Sequence, residues 1–164
     1  MHNIFLIGFM GVGKSTIAKI LAKKLEAELV EMDETIEAEA GMSINQIFEK
    51  FGEQNFRDLE TALVERISKT GGAVVSCGGG AVLRPENVQM MKQSGKIILL
   101  SATPETIYER VKHSTNRPLL NGNMNVEYIR GLMERRREVY EGAADVIITT
   151  DGKWKSQIVE EILG

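Results

Sequence analysis

The chain has 164 residues, 43% hydrophobic and 26% charged, with a formal net charge of −3. That length supports one hydrophobic core, so residues 1–164 are expected to form a single domain, and the ordinary composition excludes a disordered or fibrous chain. Basic residues scattered among acidic ones exclude a mainly nucleic-acid-binding protein, the lone Cys77 excludes an intramolecular disulfide, and no apolar run has signal-peptide or membrane-spanning form; a cytoplasmic monomer with neither nucleic-acid nor membrane partners is expected.

The first predicted strand, Ile4 to Ile7, runs directly into Gly8-Phe9-Met10-Gly11-Val12-Gly13-Lys14-Ser15-Thr16. Ile17, Ala18, Ile20, Leu21 and Leu25 then repeat with helical spacing. A turn of the form G-x-x-x-x-G-K-[ST] between strand and helix is a phosphate cradle. Backbone N–H groups from Gly11 to Thr16 surround phosphate oxygens, Lys14 reaches the β/γ-phosphates, and the Ser15 hydroxyl ligates Mg²⁺. A lysine in the first turn opposes the helix dipole unless an anion lies between them, which disfavours an ordinary glycine turn before an amphipathic helix.

A second strand around Leu29-Val30 leads to Glu31-Met32-Asp33. Strand alternation puts both carboxylates on one side, where one could hold Mg²⁺ through water and the other accept a proton from an attacking hydroxyl. Asp33 reads equally well as the N-cap of a following helix. From 33 to 69 the pattern is almost wholly helical: Asp33 through Ala40, a break at Gly41, then Ser43 as N-cap of one long amphipathic run through Ile47, Phe51, Leu59, Leu63 and Ile67. Such an insertion is a natural place for an acceptor pocket. Arg57 on that run reads as a solvated side chain or an i,i+3 partner of Glu60.

The third strand, Ala73 to Ser76, ends in Cys77-Gly78-Gly79-Gly80. Three successive glycines cost backbone entropy and allow a ligand close to the main chain, or else make a tight turn. Cys77, within an apolar run, reads as a buried, inert thiol. Strands follow at Lys96 to Leu100 and Val146 to Thr149, separated by a polar stretch, 112–125, with Arg117-Pro118, expected to be a mobile lid, and by a helix carrying Arg135-Arg136-Arg137. At about 100° per residue only one of those arginines need face a site. Strands alternating with helices give an α/β fold: a three-layer α/β/α arrangement around a five-stranded parallel sheet, with ligands at the carboxyl ends of the strands.

Taken in order, these segments resemble the shikimate kinase family of the P-loop nucleoside monophosphate kinase superfamily. The matching motifs are GFMGVGKST, Glu31-Met32-Asp33 with Ile36-Glu37, Gly41-Met42-Ser43-Ile44 with Ile47-Phe48, Phe56-Arg57 with Glu60, the triple glycine with Ala81-Val82, Arg117-Pro118-Leu119-Leu120, and Leu132-x-x-x-Arg136-x-x-x-Tyr140. The resemblance implies a P-loop NTPase fold and ATP-dependent phosphorylation of the 3-hydroxyl of shikimate, with Mg²⁺. Asp33 would bind substrate hydroxyls and act as base, Arg57 and Arg136 would grip the carboxylate, and Gly79, flanked by Gly78 and Gly80, would contact the ring. Arg117 would join Lys14 at the transferring phosphate, Arg110 would pack on adenine, and Lys153 would lie in the adenine loop. The family usually has Asp-x-Asp where this chain has Glu31-x-Asp33, which leaves open whether Glu31 reaches Mg²⁺ through water. A gluconate-kinase-like enzyme and a catalytically silent nucleotide-binding module are the competing expectations.

Overall fold

Five apolar runs become five parallel strands in the computed structural model of the chain, which describes residues 2–112 and 125–164. Strands β1 (Asn3–Ile7), β2 (Glu28–Glu31), β3 (Ala73–Ser76), β4 (Gly95–Ser101) and β5 (Val146–Thr149) pair in the order β2-β3-β1-β4-β5. All four residues of β3 are buried, and Phe5, Leu6 and Ile7 of β1 are at most 1% exposed. A strand covered on both faces cannot alternate polar and apolar residues, so β1 and β3 read as continuous apolar runs. Each such large side chain contributes about 1.5–3 kcal/mol on burial. The polar Asn3 is buried in this core with its bonds made: it accepts from the Ala73 N–H at 2.9 Å and donates to the Ile67 carbonyl at 3.1 Å.

Because the sheet is wholly parallel, its carboxyl ends share one edge. From that edge the Gly8–Gly13 turn enters α1 (Lys14–Leu25), whose Ile17, Ala18, Leu21 and Ala22 are buried. Gly11 and Gly13 have φ of +84° and +101°, a region side chains disfavour, so the cradle's path requires glycine there. Helices α5 (Pro85–Ser94), α6 (Pro104–Val111), α7 (Val126–Ala143) and α8 (Lys155–Leu163) complete the layers among the described residues.

Between β2 and β3 the structure departs from two expectations. The strand stops at Glu31, and α2 (Met32–Ala40) starts at the next residue, because Met32 is drawn fully into the core. Glu31 occupies the N-cap position without a side-chain cap, so Asp33 lies in the first helical turn and does not cap it. The long run after Ser43 is two helices, α3 (Ile44–Phe51) and α4 (Glu53–Thr70), divided at Gly52, whose φ is +87°. Ser43 does cap α3, in a reciprocal box with Gln46, and Gly41 ends α2 as expected. The break at Gly52 lets the rings of Phe48 and Phe56 meet, with centroids 5.2 Å apart. The lid expected over 112–125 and its Arg117 lie outside the described residues, apart from Lys112 and Asn125. Among the described residues no helix is long and apolar enough to cross a membrane.

Candidate active site

A cleft of about 1190 Å³ lies at the carboxyl edge of the sheet, lined by the cradle at one end and by α2, α3, α4, α7 and the glycine turn after β3 elsewhere. Gly11, Gly13, Lys14, Ser15 and Thr16 open into it, whereas Val12 is buried behind the turn. Lys14 Nζ donates to the Gly8 carbonyl at 2.6 Å and the Phe9 carbonyl at 3.3 Å, so the ammonium is folded over the cradle. Arg110 donates to the Gly11 and Val12 carbonyls at 3.1 and 3.0 Å, fixing a second cation against the same turn, and it too lines the cleft.

Ser15 Oγ donates to Glu31 Oε2 at 2.9 Å, and Glu31 Oε1 is buried with no hydrogen-bond partner. A hydroxyl beside a carboxylate with an unpartnered oxygen is the hard-oxygen set that Mg²⁺ accepts. Among the described residues there is no cluster of three or more His, Cys, Asp or Glu able to cage a metal.

Asp33 reaches the cleft from the first turn of α2. Although the strand alternation expected to place it there ends at Glu31, both carboxylates do face the same space. Desolvation by the surrounding protein raises the Asp33 carboxyl above its ordinary value, opposed chiefly by the charge of Lys14 and also by that of Arg57. A carboxylate moved toward neutral pH is a better-matched proton acceptor.

Arg57 is the i,i+3 partner of Glu60 that its spacing allowed, and with its side chain 14% exposed it is not a solvated one. Its Nη1 donates to Glu60 at 2.8 Å and its Nε to Glu53 at 3.3 Å, and it also lines the cleft. Burial lowers its proton affinity, but hydrogen bonds and charge from Glu60 and Glu53 more than reverse this. Glu60 itself is 1% exposed, and burial raises its carboxyl against the pull of Arg57. Sequence reasoning gave Glu60 no place in the site; its i,i+3 spacing from Arg57 was the available signal, and here its carboxylate holds the guanidinium at 2.8 Å.

Of the three consecutive arginines only Arg136 lines this cleft, Arg135 and Arg137 being exposed. Tyr140, one turn on, was also given no role. Its hydroxyl donates to the Gly79 carbonyl at 2.7 Å.

The three glycines each leave room for a different group. A Cβ on Gly78 would lie 2.6 Å from Asp33 Oδ1, one on Gly79 would lie 3.3 Å from Arg136 Nη1, and one on Gly80 would overlap the Arg57 guanidinium. Lys153, expected at the site, does not line the cleft; its ammonium is paired with Glu161 at 2.8 Å. Cys77, next to the glycines, is buried, which raises its thiol far above the ordinary value and keeps it protonated. Iodoacetamide at mildly alkaline pH is therefore expected to leave the mass of the folded protein unchanged and to modify the chain only in denaturant, as mass spectrometry would read directly.

Comparison with known proteins follows the same lines. A family model described as shikimate kinase matches residues 10–164. A shikimate kinase of Persephonella marina is 46% identical over 164 residues, covering 100% of this chain and 98% of that protein. One from Thermodesulfovibrio yellowstonii is 44% identical over 163 residues, covering 99% and 94%. The solved structure of shikimate kinase from Acinetobacter baumannii in complex with shikimate superposes with a TM-score of 0.90 at 33% identity, covering 99% of this chain and 91% of that one.

Proposed function

Because the chain belongs to the shikimate kinase family, we propose that the cleft at the carboxyl edge of the sheet is where ATP and shikimate meet, with the roles divided as follows. The protein is an ATP-dependent kinase that phosphorylates shikimate. The cradle from Gly11 to Thr16 holds the triphosphate, and Arg57 and Arg136 hold the substrate carboxylate. Asp33 binds and deprotonates the 3-hydroxyl as its oxygen forms the new bond to the γ-phosphorus and the bond to the ADP oxygen breaks. Lys14 offsets the charge on the transferring group. Ser15 would hold Mg²⁺, with Glu31 as the nearby carboxylate that could reach it through a water, and the ion would supply charge neutralisation at the phosphates.

Helices α2 to α4, which cover the expected insertion at 33–69, form the acceptor side. Arg117, outside the described residues, is assigned to the γ-phosphate on resemblance, as Arg110 and Lys153 are to the nucleotide base. A cytoplasmic, monomeric enzyme without nucleic-acid or membrane partners completes the reading, supported by the lone buried thiol and the balanced charge.

One observation carries this assignment. Two guanidiniums 79 positions apart in the chain, Arg57 and Arg136, open on the same cleft as the phosphate cradle, and the Asp33 carboxyl feels both Lys14 and Arg57. A planar, permanently charged fork suits a carboxylate in a way that an ammonium does not. Arg57→Lys is accordingly expected to raise the KM for shikimate by about tenfold while leaving that for ATP unchanged, as read by steady-state kinetics. The assignment as a whole is tested by Mg²⁺-dependent ADP release across hydroxylated carboxylic acids. Turnover with shikimate is expected; saturable turnover with gluconate alone, or ATP binding without any shikimate-dependent ADP, would overturn it.

A further inference from the structure

Among the described residues, the glycine turn that lines the cleft is tied to the rest of the fold at its start, its middle and its end. At its start the Cys77 N–H donates to the Leu6 carbonyl at 3.0 Å, and at its end Asn87, 1% exposed, donates to the Ala81 carbonyl at 2.8 Å. Both of these anchor the turn to the core. The middle is held from α7, by the Tyr140 hydroxyl on the Gly79 carbonyl at 2.7 Å.

Tyr140 is one helical turn beyond Arg136, so the two side chains share a face of α7. A Cβ on Gly79 would lie 3.3 Å from Arg136 Nη1 and 3.7 Å from the Tyr140 hydroxyl, so loop, guanidinium and phenol pack as one unit. The ring is 6% exposed and has only two side-chain torsions, which makes it a stiff spacer.

We propose that Tyr140 is a positioning residue for shikimate, tying the Gly79 backbone to the helix face that presents Arg136 so that the ring-contacting turn and the carboxylate fork keep one spacing. Its proton is committed to a backbone carbonyl, so the phenol acts through its neighbours and takes no part in the proton transfer. Removing the hydroxyl leaves that carbonyl without its donor and frees the turn to drift from Arg136.

The inference rests on the shikimate reading, so parental turnover of shikimate is measured first; its absence would defeat that reading and not the role of Tyr140. Tyr140→Phe is then expected to raise the shikimate KM by about 5- to 50-fold, with the ATP KM and melting temperature near parental values. Combined with Arg136→Lys, its factor shrinks, because both changes loosen one unit. A 4-aminophenylalanine at position 140 restores a donor and is expected to return the shikimate KM to within about threefold of the parent. An unchanged shikimate KM in Tyr140→Phe, an equal rise for ATP, or factors that simply multiply in the double variant would overturn the proposal. Should Tyr140→Phe fail to fold, the 4-aminophenylalanine variant decides alone: near-parental KM sustains the role, and a KM as high as that of Arg136→Lys removes it.

Discussion

Asp33→Asn is expected to lower kcat by about 10²- to 10⁴-fold, the range for loss of a positioned general base, and to leave ATP affinity unchanged. The amide keeps the shape of the carboxyl and can still accept a hydrogen bond from a substrate hydroxyl, so the KM for shikimate should move far less than kcat. What it cannot do is take the proton. The carboxyl's surroundings favour proton transfer, because desolvation raises its proton affinity, opposed chiefly by the charge of Lys14. Coupled ADP-release kinetics at saturating shikimate measure the effect. A kcat within a few-fold of the parent would show that Asp33 only holds the hydroxyl, with the proton leaving to phosphate or water.

Gly80→Ala should do the opposite damage. Its new methyl would occupy the place of the Arg57 guanidinium, which Glu60 and Glu53 hold from the other side. The displaced group is the far end of a side chain and not backbone, so the fold can accommodate it; the carboxylate fork cannot remain where it was. A shift of about 1 Å in a positioning group is worth about 10²-fold, and that loss is expected in kcat/KM for shikimate, with the ATP KM and the melting temperature close to those of the parent. Parental shikimate kinetics in Gly80→Ala would mean that Arg57 does not hold the substrate from its present place.

Both results depend on features of unequal legibility. The cradle was readable outright, since strand, glycines, lysine and helix are contiguous and the chemistry is local. The five strands were readable because burial on both faces leaves uninterrupted apolar runs. The division of α3 from α4 was not, because a single glycine such as Gly52 inside a helical pattern is often tolerated and the apolar period resumes directly after it. Asp33 as an N-cap failed for a different reason. Nothing in the letters Glu31-Met32-Asp33 says that core packing will capture Met32 and start the helix two residues before an Asp33 cap would. By composition Arg136 stood undistinguished among three arginines and only the family motif singled it out, yet the phase of α7 contained the answer: Ile129 lies seven residues before it, and Tyr140 and Ala143 four and seven after, all buried. The hold of Glu60 on Arg57 needed the third dimension, since the same i,i+3 pair on a solvated helix would mean little.

The direct passage from β2 into α2 has a consequence for how this enzyme can change over time. With no spacer at the joint, the angular setting of Asp33 is dictated by the end of a paired strand, and one added or deleted residue there would swing it about 100° around the helix axis. Substitutions at that junction can be graded and partly tolerated, whereas insertions and deletions are all-or-none. Variation in chain length must therefore accumulate elsewhere in the molecule, and any viable lineage is bound to keep this seam to the residue.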